Sequence, residues 1–119
     1  MIPINFYEGF KMIDFKKWKK IHLPNSTVDF YENEEYLAFD STQCPPPEPM
    51  INARVGLNNL KKDQKLIMIN HRNPLGLLPS VSPYYEIECT EENGVFQLIF
   101  TKKPGLEHEA FDESCKDHP

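Results

Sequence analysis

From Tyr36 onward the chain alternates short apolar runs with polar breaks, and this pattern predicts a small set of strands and helices. Tyr36-Leu37-Ala38-Phe39 is an apolar run preceded by Val28-Asp29-Phe30-Tyr31 and a polar turn around Asn33, so the two segments are expected to pair as a hairpin along one sheet edge. Next comes Cys44-Pro45-Pro46-Pro47-Glu48-Pro49-Met50. Proline lacks an N–H and has φ fixed near its helical value, so it is tolerated in a first turn, where the amides have no intrahelical partner. The run therefore predicts a helix start. Beyond it, Met50, Ala53, Leu57 and Leu60 share one helical face over residues 47–60, with Asn52, Asn58, Asn59 and Lys61 on the other side.

Leu66-Ile67-Met68-Ile69 is an uninterrupted apolar strand of the kind found in the middle of a sheet. Leu75-Gly76-Leu77-Leu78 predicts one or two helical turns stopped before Pro79. Tyr85, Ile87 and Cys89 then alternate with Glu86 and Glu88, Asn93-Gly94 supplies a turn suited to positive φ, and Phe96, Leu98 and Phe100 alternate with Gln97 and Thr101. That is a hairpin signal. The first strand-helix-strand unit must cross over right-handed, which sets its two strands parallel. The predicted class is α/β: a two-layer sandwich with a βαβαββ core and a mixed sheet, its strands near 36–41, 65–70, 84–90 and 95–102.

The rest of the chain divides around that core. Residues 1–34 read as an N-terminal extension in which Ile13, Trp18 and Ile21 have a weak helical spacing ended by Leu23-Pro24. Lys16-Lys17-Trp18-Lys19-Lys20 then reads as the solvated face of a short helix. Residues 35–103 form the compact domain, and residues 104–119 an acidic tail without periodicity, expected to be mobile.

Composition narrows the class further. A chain of 119 residues, 39% hydrophobic and 26% charged, suits one small domain with a single core. A net charge of −5 argues against a general affinity for nucleic acid or for an anionic membrane. No apolar run approaches the roughly 20 residues of a membrane span, and the N-terminus lacks a signal pattern, so a cytoplasmic protein is expected. Three cysteines, Cys44, Cys89 and Cys115, are too few and too odd a set for a disulfide framework, and are expected as thiols.

Candidate chemistry gathers at two loops. A thiol near a helix start feels the partial positive charge of exposed amides, which favours the thiolate, so Cys44 is a candidate nucleophile. If the strands at 36–41 and 65–70 are parallel, the loops after Asp40 and after Asn70 both leave the carboxyl end of the sheet, where open α/β sheets place ligands. Cys44, His71 and Arg72 would then be neighbours. Arg72 could hold an anion, His71 could move a proton or bias Cys44 toward thiolate, and Asp40 could orient either one. Each has a plainer reading. A loop histidine is more often a surface or capping residue than a catalytic one, Arg72 would serve as a surface ion-pair partner, and a free cysteine such as Cys44 commonly packs as a small hydrophobe.

Cys89, in phase with Tyr85 and Ile87, is expected to face the core, and Glu91-Glu92 supplies hairpin-turn polarity. In the tail, His108, Asp112, Cys115 and His118 contain one Cys/His pair at metal-like separation, without the second pair a structural zinc site needs, so no metal is expected. The sequence contains no glycine-rich phosphate loop, no nucleophile elbow and no paired-carboxylate motif, and no cofactor is expected.

The segment Asp40–Lys103 carries the Cys44–Met50 motif, the strand ending in Asn70-His71-Arg72-Asn73-Pro74, and the final hairpin. It resembles the TusA-like (SirA-like) superfamily, and within it a branch with a Pro-Pro-Pro-Glu-Pro helix start, some members of which are joined to hemerythrin-type domains. The resemblance covers roughly half the chain. In TusA-like sulfur carriers a Cys-Pro-x-Pro motif opens the first helix, and its cysteine carries sulfur as a persulfide between partner proteins. Read literally, Cys44-Pro45-Pro46-Pro47 fits that motif; aligned on Pro47-Glu48-Pro49, Pro46 stands at the carrier position.

The resemblance implies a small protein that acts by contact with a sulfur donor, a sulfur acceptor or a regulatory partner, with sulfur transfer or redox sensing through Cys44 and no independent turnover. Asp40, Glu48, His71 and Arg72 are the supporting candidates. The alternative is a non-catalytic module that holds a small anion or metal near Asp40, His71 and Arg72.

Overall fold

The structure is a computed structural model that describes residues 12–104. The tail's cysteine and histidines, and its expected mobility, lie outside the described residues. Eight elements follow in order: β1 (Lys19–Ile21), β2 (Phe30–Glu32), β3 (Tyr36–Asp40), α1 (Glu48–Asn58), β4 (Lys65–Asn70), α2 (Leu78–Val81), β5 (Tyr85–Glu92) and β6 (Val95–Lys102). The six strands form one mixed sheet in the order β1-β2-β3-β4-β6-β5. Only the β3–β4 pair is parallel, with Tyr36 opposite Lys65 and Asp40 opposite Ile69; the other pairs are antiparallel. The architecture is the α/β sandwich expected. β4 lies inside the sheet, as its unbroken apolar run requires, and Leu66, Ile67 and Met68 are fully buried. The β5–β6 turn places Asn93 and Gly94 at φ 54° and 83°, the left-handed geometry a two-residue hairpin needs.

α1 lies on one face of the sheet, over a core that includes Phe30, Leu37, Phe39, Leu66, Met68, Leu98 and Phe100. The helix is more enclosed than one apolar stripe predicts: Asn52, Ala53, Arg54, Val55, Gly56 and Leu57 are all buried. Asn52, assigned to the polar side from spacing, is completely buried. The 24–29 loop packs beside the helix there and supplies hydrogen-bond partners, so the amide is satisfied away from water. Gly56 makes the close approach possible, since a Cβ there would lie 2.7 Å from Leu66 Cδ1 and 3.0 Å from Phe30 Cε2.

Two local expectations are corrected. No helix forms around Ile13–Ile21: the chain runs irregularly from Met12 to Trp18 and enters β1. Its apolar residues cover the second face of the sheet instead. Phe15 is buried against Ala38, Ile67 and Ile69, and Trp18 stacks on Tyr36 with ring centroids 5.9 Å apart. The Ile13 N–H donates to the buried Gln97 Oε1 at 2.7 Å. The weak spacing of Ile13, Trp18 and Ile21 is equally compatible with an irregular strap that lays apolar side chains on a sheet, and the apolar second face of β3 and β4 selects the strap. The short second helix also starts later than expected. Pro79 lies in its first turn rather than ending it, the position where a missing N–H costs nothing.

Candidate functional site

The parallel β3–β4 pair does bring the two candidate loops to one sheet edge. Their bases are joined by buried hydrogen bonds: the Ser41 N–H and hydroxyl donate to the Ile69 carbonyl at 2.8 and 2.6 Å, and Ser41 Oγ lies 3.0 Å from Asn70 Oδ1. Asn70 Nδ2 in turn donates to the Arg72 carbonyl at 2.9 Å. Ser41 and Asn70, neither of them a candidate site residue from sequence, therefore set the geometry of this end of the sheet. The signal was a polar residue ending each apolar strand run, where an unpaired strand terminus needs partners.

Asp40 is committed to local structure. Its Oδ1 accepts from the Thr42 N–H at 2.8 Å and from the Thr42 hydroxyl at 2.6 Å, and Oδ2 lies 3.4 Å from Lys16 Nζ. Burial alone would raise its pKa, but the two Thr42 bonds and Lys16 outweigh burial and hold the carboxyl below its ordinary value. Asp40 therefore holds the turn through Oδ1 and the strap through Oδ2.

Cys44 is half-buried in a second network. Asn52 Oδ1 accepts from the Thr27 N–H and Asn52 Nδ2 donates to Thr27 Oγ1, both at 2.9 Å, while the Thr27 hydroxyl donates to Glu48 Oε1 at 3.1 Å. Asn52 Nδ2 also lies 3.9 Å from Cys44 Sγ, the reach of a weak N–H···S contact. The expectation that the helix start favours a thiolate is corrected. Burial pushes the thiol pKa up, and the Glu48 carboxylate pushes it further. Cys44 precedes the Pro45–Pro47 turn, whereas the first helical residue is Glu48, so the positive end of α1 acts first on a carboxylate of its own.

His71 and Arg72 are exposed, and neither is among the hydrogen-bonding or charged groups that act on Cys44. The same loop carries Leu75, which is 69% exposed and is the exposed large hydrophobic side chain among the described residues. Asn73 Oδ1, between them, is buried with no hydrogen-bond partner among the described residues. Among the described residues no three of His, Cys, Asp and Glu come together as a metal would require. The carboxyl end of β3 and β4 therefore presents a cation, an imidazole and an apolar side chain on a locked base, with Cys44 on the loop that follows β3.

The other thiol corrects the sequence reading. Cys89 is exposed, not packed in the core. Its phase was read properly, since it pairs with Leu98, which is fully buried on the helix-covered face. β5 is the sheet edge, however, and only its Tyr85 end is buried. Glu91 behaves as hairpin-turn polarity, accepting from the Gly94 N–H at 3.0 Å. No helix of the described residues is long and apolar enough to cross a membrane. No family model, no curated protein and no solved structure matches this chain.

Proposed function

We propose that this protein is a TusA-like module that works by protein contact, without turnover of its own, and that its contact surface is the carboxyl edge of β3 and β4. The observation that carries this reading is the exposure of His71, Arg72 and Leu75 together on one loop whose base is fixed by the Ser41–Asn70 bonds. An exposed leucine flanked by a cation is the composition of a small interface centre with a polar rim. The motif Cys44–Met50 and the α/β sandwich support the family reading. The raised pKa of Cys44 counts against sulfur transfer, because the thiolate is the form that accepts sulfur. Cys44 then serves as a packing residue against Asn52. A cytoplasmic location belongs to the same proposal and is supported by the unpaired Cys44 and Cys89.

Site-specific photocrosslinking tests the proposal. A benzophenone amino acid placed at position 75 of the full chain, in the cells that naturally make it, should give a discrete adduct. Arg72→Ala should remove that adduct and Cys44→Ser should leave it. No adduct, or an adduct lost with Cys44→Ser and kept with Arg72→Ala, would overturn the reading.

A further inference from the structure

At the opposite end of the sheet, where β4 begins, lies an open groove of about 850 Å³. Lys61, Lys62, Lys65, Lys102 and Lys103 line it, with Asp63 as the single carboxylate. These lysines come from three places in the chain: the loop after α1, the first residue of β4 and the end of β6. No basic run in the sequence puts them together; the antiparallel β4–β6 pairing does, by setting Leu66 opposite Phe100. Lys61 has a carboxylate partner, Glu32 Oε2 at 3.3 Å, whereas Lys62, Lys65, Lys102 and Lys103 make no ion pair among the described residues. Such a cluster is notable on a chain of net charge −5. A multivalent anion seated in a groove lined by several ammonium groups gains Coulomb attraction from each of them.

The walls decide the size and kind of ligand. Leu57, Leu60 and Tyr85 give the groove an apolar side, against which a flat ring could lie. Its volume falls within the roughly 300 to 1,000 Å³ of small-molecule sites. Lysine binds phosphate groups as a mobile point charge, and several lysines around one concavity suit a chain of phosphates better than a single planar carboxylate.

We propose that this groove is a binding site for a small polyphosphate anion, either free or carried on a nucleoside. The proposal stands apart from the reading of the carboxyl edge, which shares no residue with it.

Calorimetric titration of the full chain at low salt, with tripolyphosphate and with ATP as probes, tests it. Saturable binding of at least one probe at a single site is expected. The Lys62→Ala/Lys102→Ala double variant should weaken it by about tenfold or more, equivalent to losing one charged hydrogen bond. Lys17→Ala/Lys19→Ala, which removes two exposed charges elsewhere, should leave it unchanged. Equal affinity for both probes assigns the site to the phosphate chain alone, and tighter ATP binding adds the apolar wall to it. Absence of binding, or equal weakening by both double variants, would overturn the proposal.

Discussion

Replacing Phe39 with alanine should lower the free energy of unfolding by about 3 to 5 kcal/mol, the usual cost of removing a buried phenyl ring. Phe39 is fully buried in β3, its ring centroid lies 5.0 Å from that of Phe30, and it belongs to the core beneath α1. The cavity cannot collapse easily, because β3 is held on one side by β2 and on the other by β4. The effect reaches the candidate site, since the next residue is Asp40, whose bonds to Thr42 define the turn into Cys44. Urea denaturation followed by circular dichroism gives the value. A loss below about 1 kcal/mol would mean that this face of β3 is not the core.

Asn52→Ala is the second large change, with an expected loss of about 1 to 3 kcal/mol. A substitution on a solvated helix face would cost almost nothing, and the spacing of apolar residues alone would place Asn52 there. In the structure it is fully buried, and it joins α1 to the 24–29 loop through two bonds to Thr27. Alanine removes both bonds and the contact to Cys44 Sγ. Denaturation of the Asn52→Ala variant should therefore show the loss, and alkylation of its Cys44 should be faster than in the parent chain. A change within about 0.5 kcal/mol would show that the loop does not depend on this amide.

The sequence made some parts of this fold legible because their local signals agree with their tertiary setting. β4 is an unbroken apolar run and lies inside the sheet; Asn93-Gly94 forces the hairpin that follows; the prolines around Glu48 open α1. The parallel β3–β4 pair followed from the helix between them, and it brought the loops of Asp40 and His71 to one edge. Other features depend on what lies opposite each residue. The 12–18 strap is fixed by the apolar back of β3 and β4, Asn52 by the Thr27 loop, and the exposure of Cys89 by β5 being an edge. The state of Cys44 depends on its surroundings in the same way. The helix start was legible, but the nearness of the Glu48 carboxylate and the enclosure of the thiol were not. The lysine groove is not legible in the sequence because its lysines lie in two distant stretches, each of which reads as solvated surface.

The proposal that the protein works by contact leaves no role for a Cys44 thiolate. In the folded protein burial first, and then the Glu48 carboxylate, disfavour the thiolate and push the Cys44 thiol pKa up. The direct measurement is the rate of Cys44 alkylation by iodoacetamide as a function of pH, in the full chain with Cys89 and Cys115 replaced by serine. The account predicts a rate still rising above pH 9.0, with Glu48→Gln shifting the curve toward lower pH. A rate that reaches its plateau below about pH 7, the range of activated thiols, would contradict it and return Cys44 to the centre of the function.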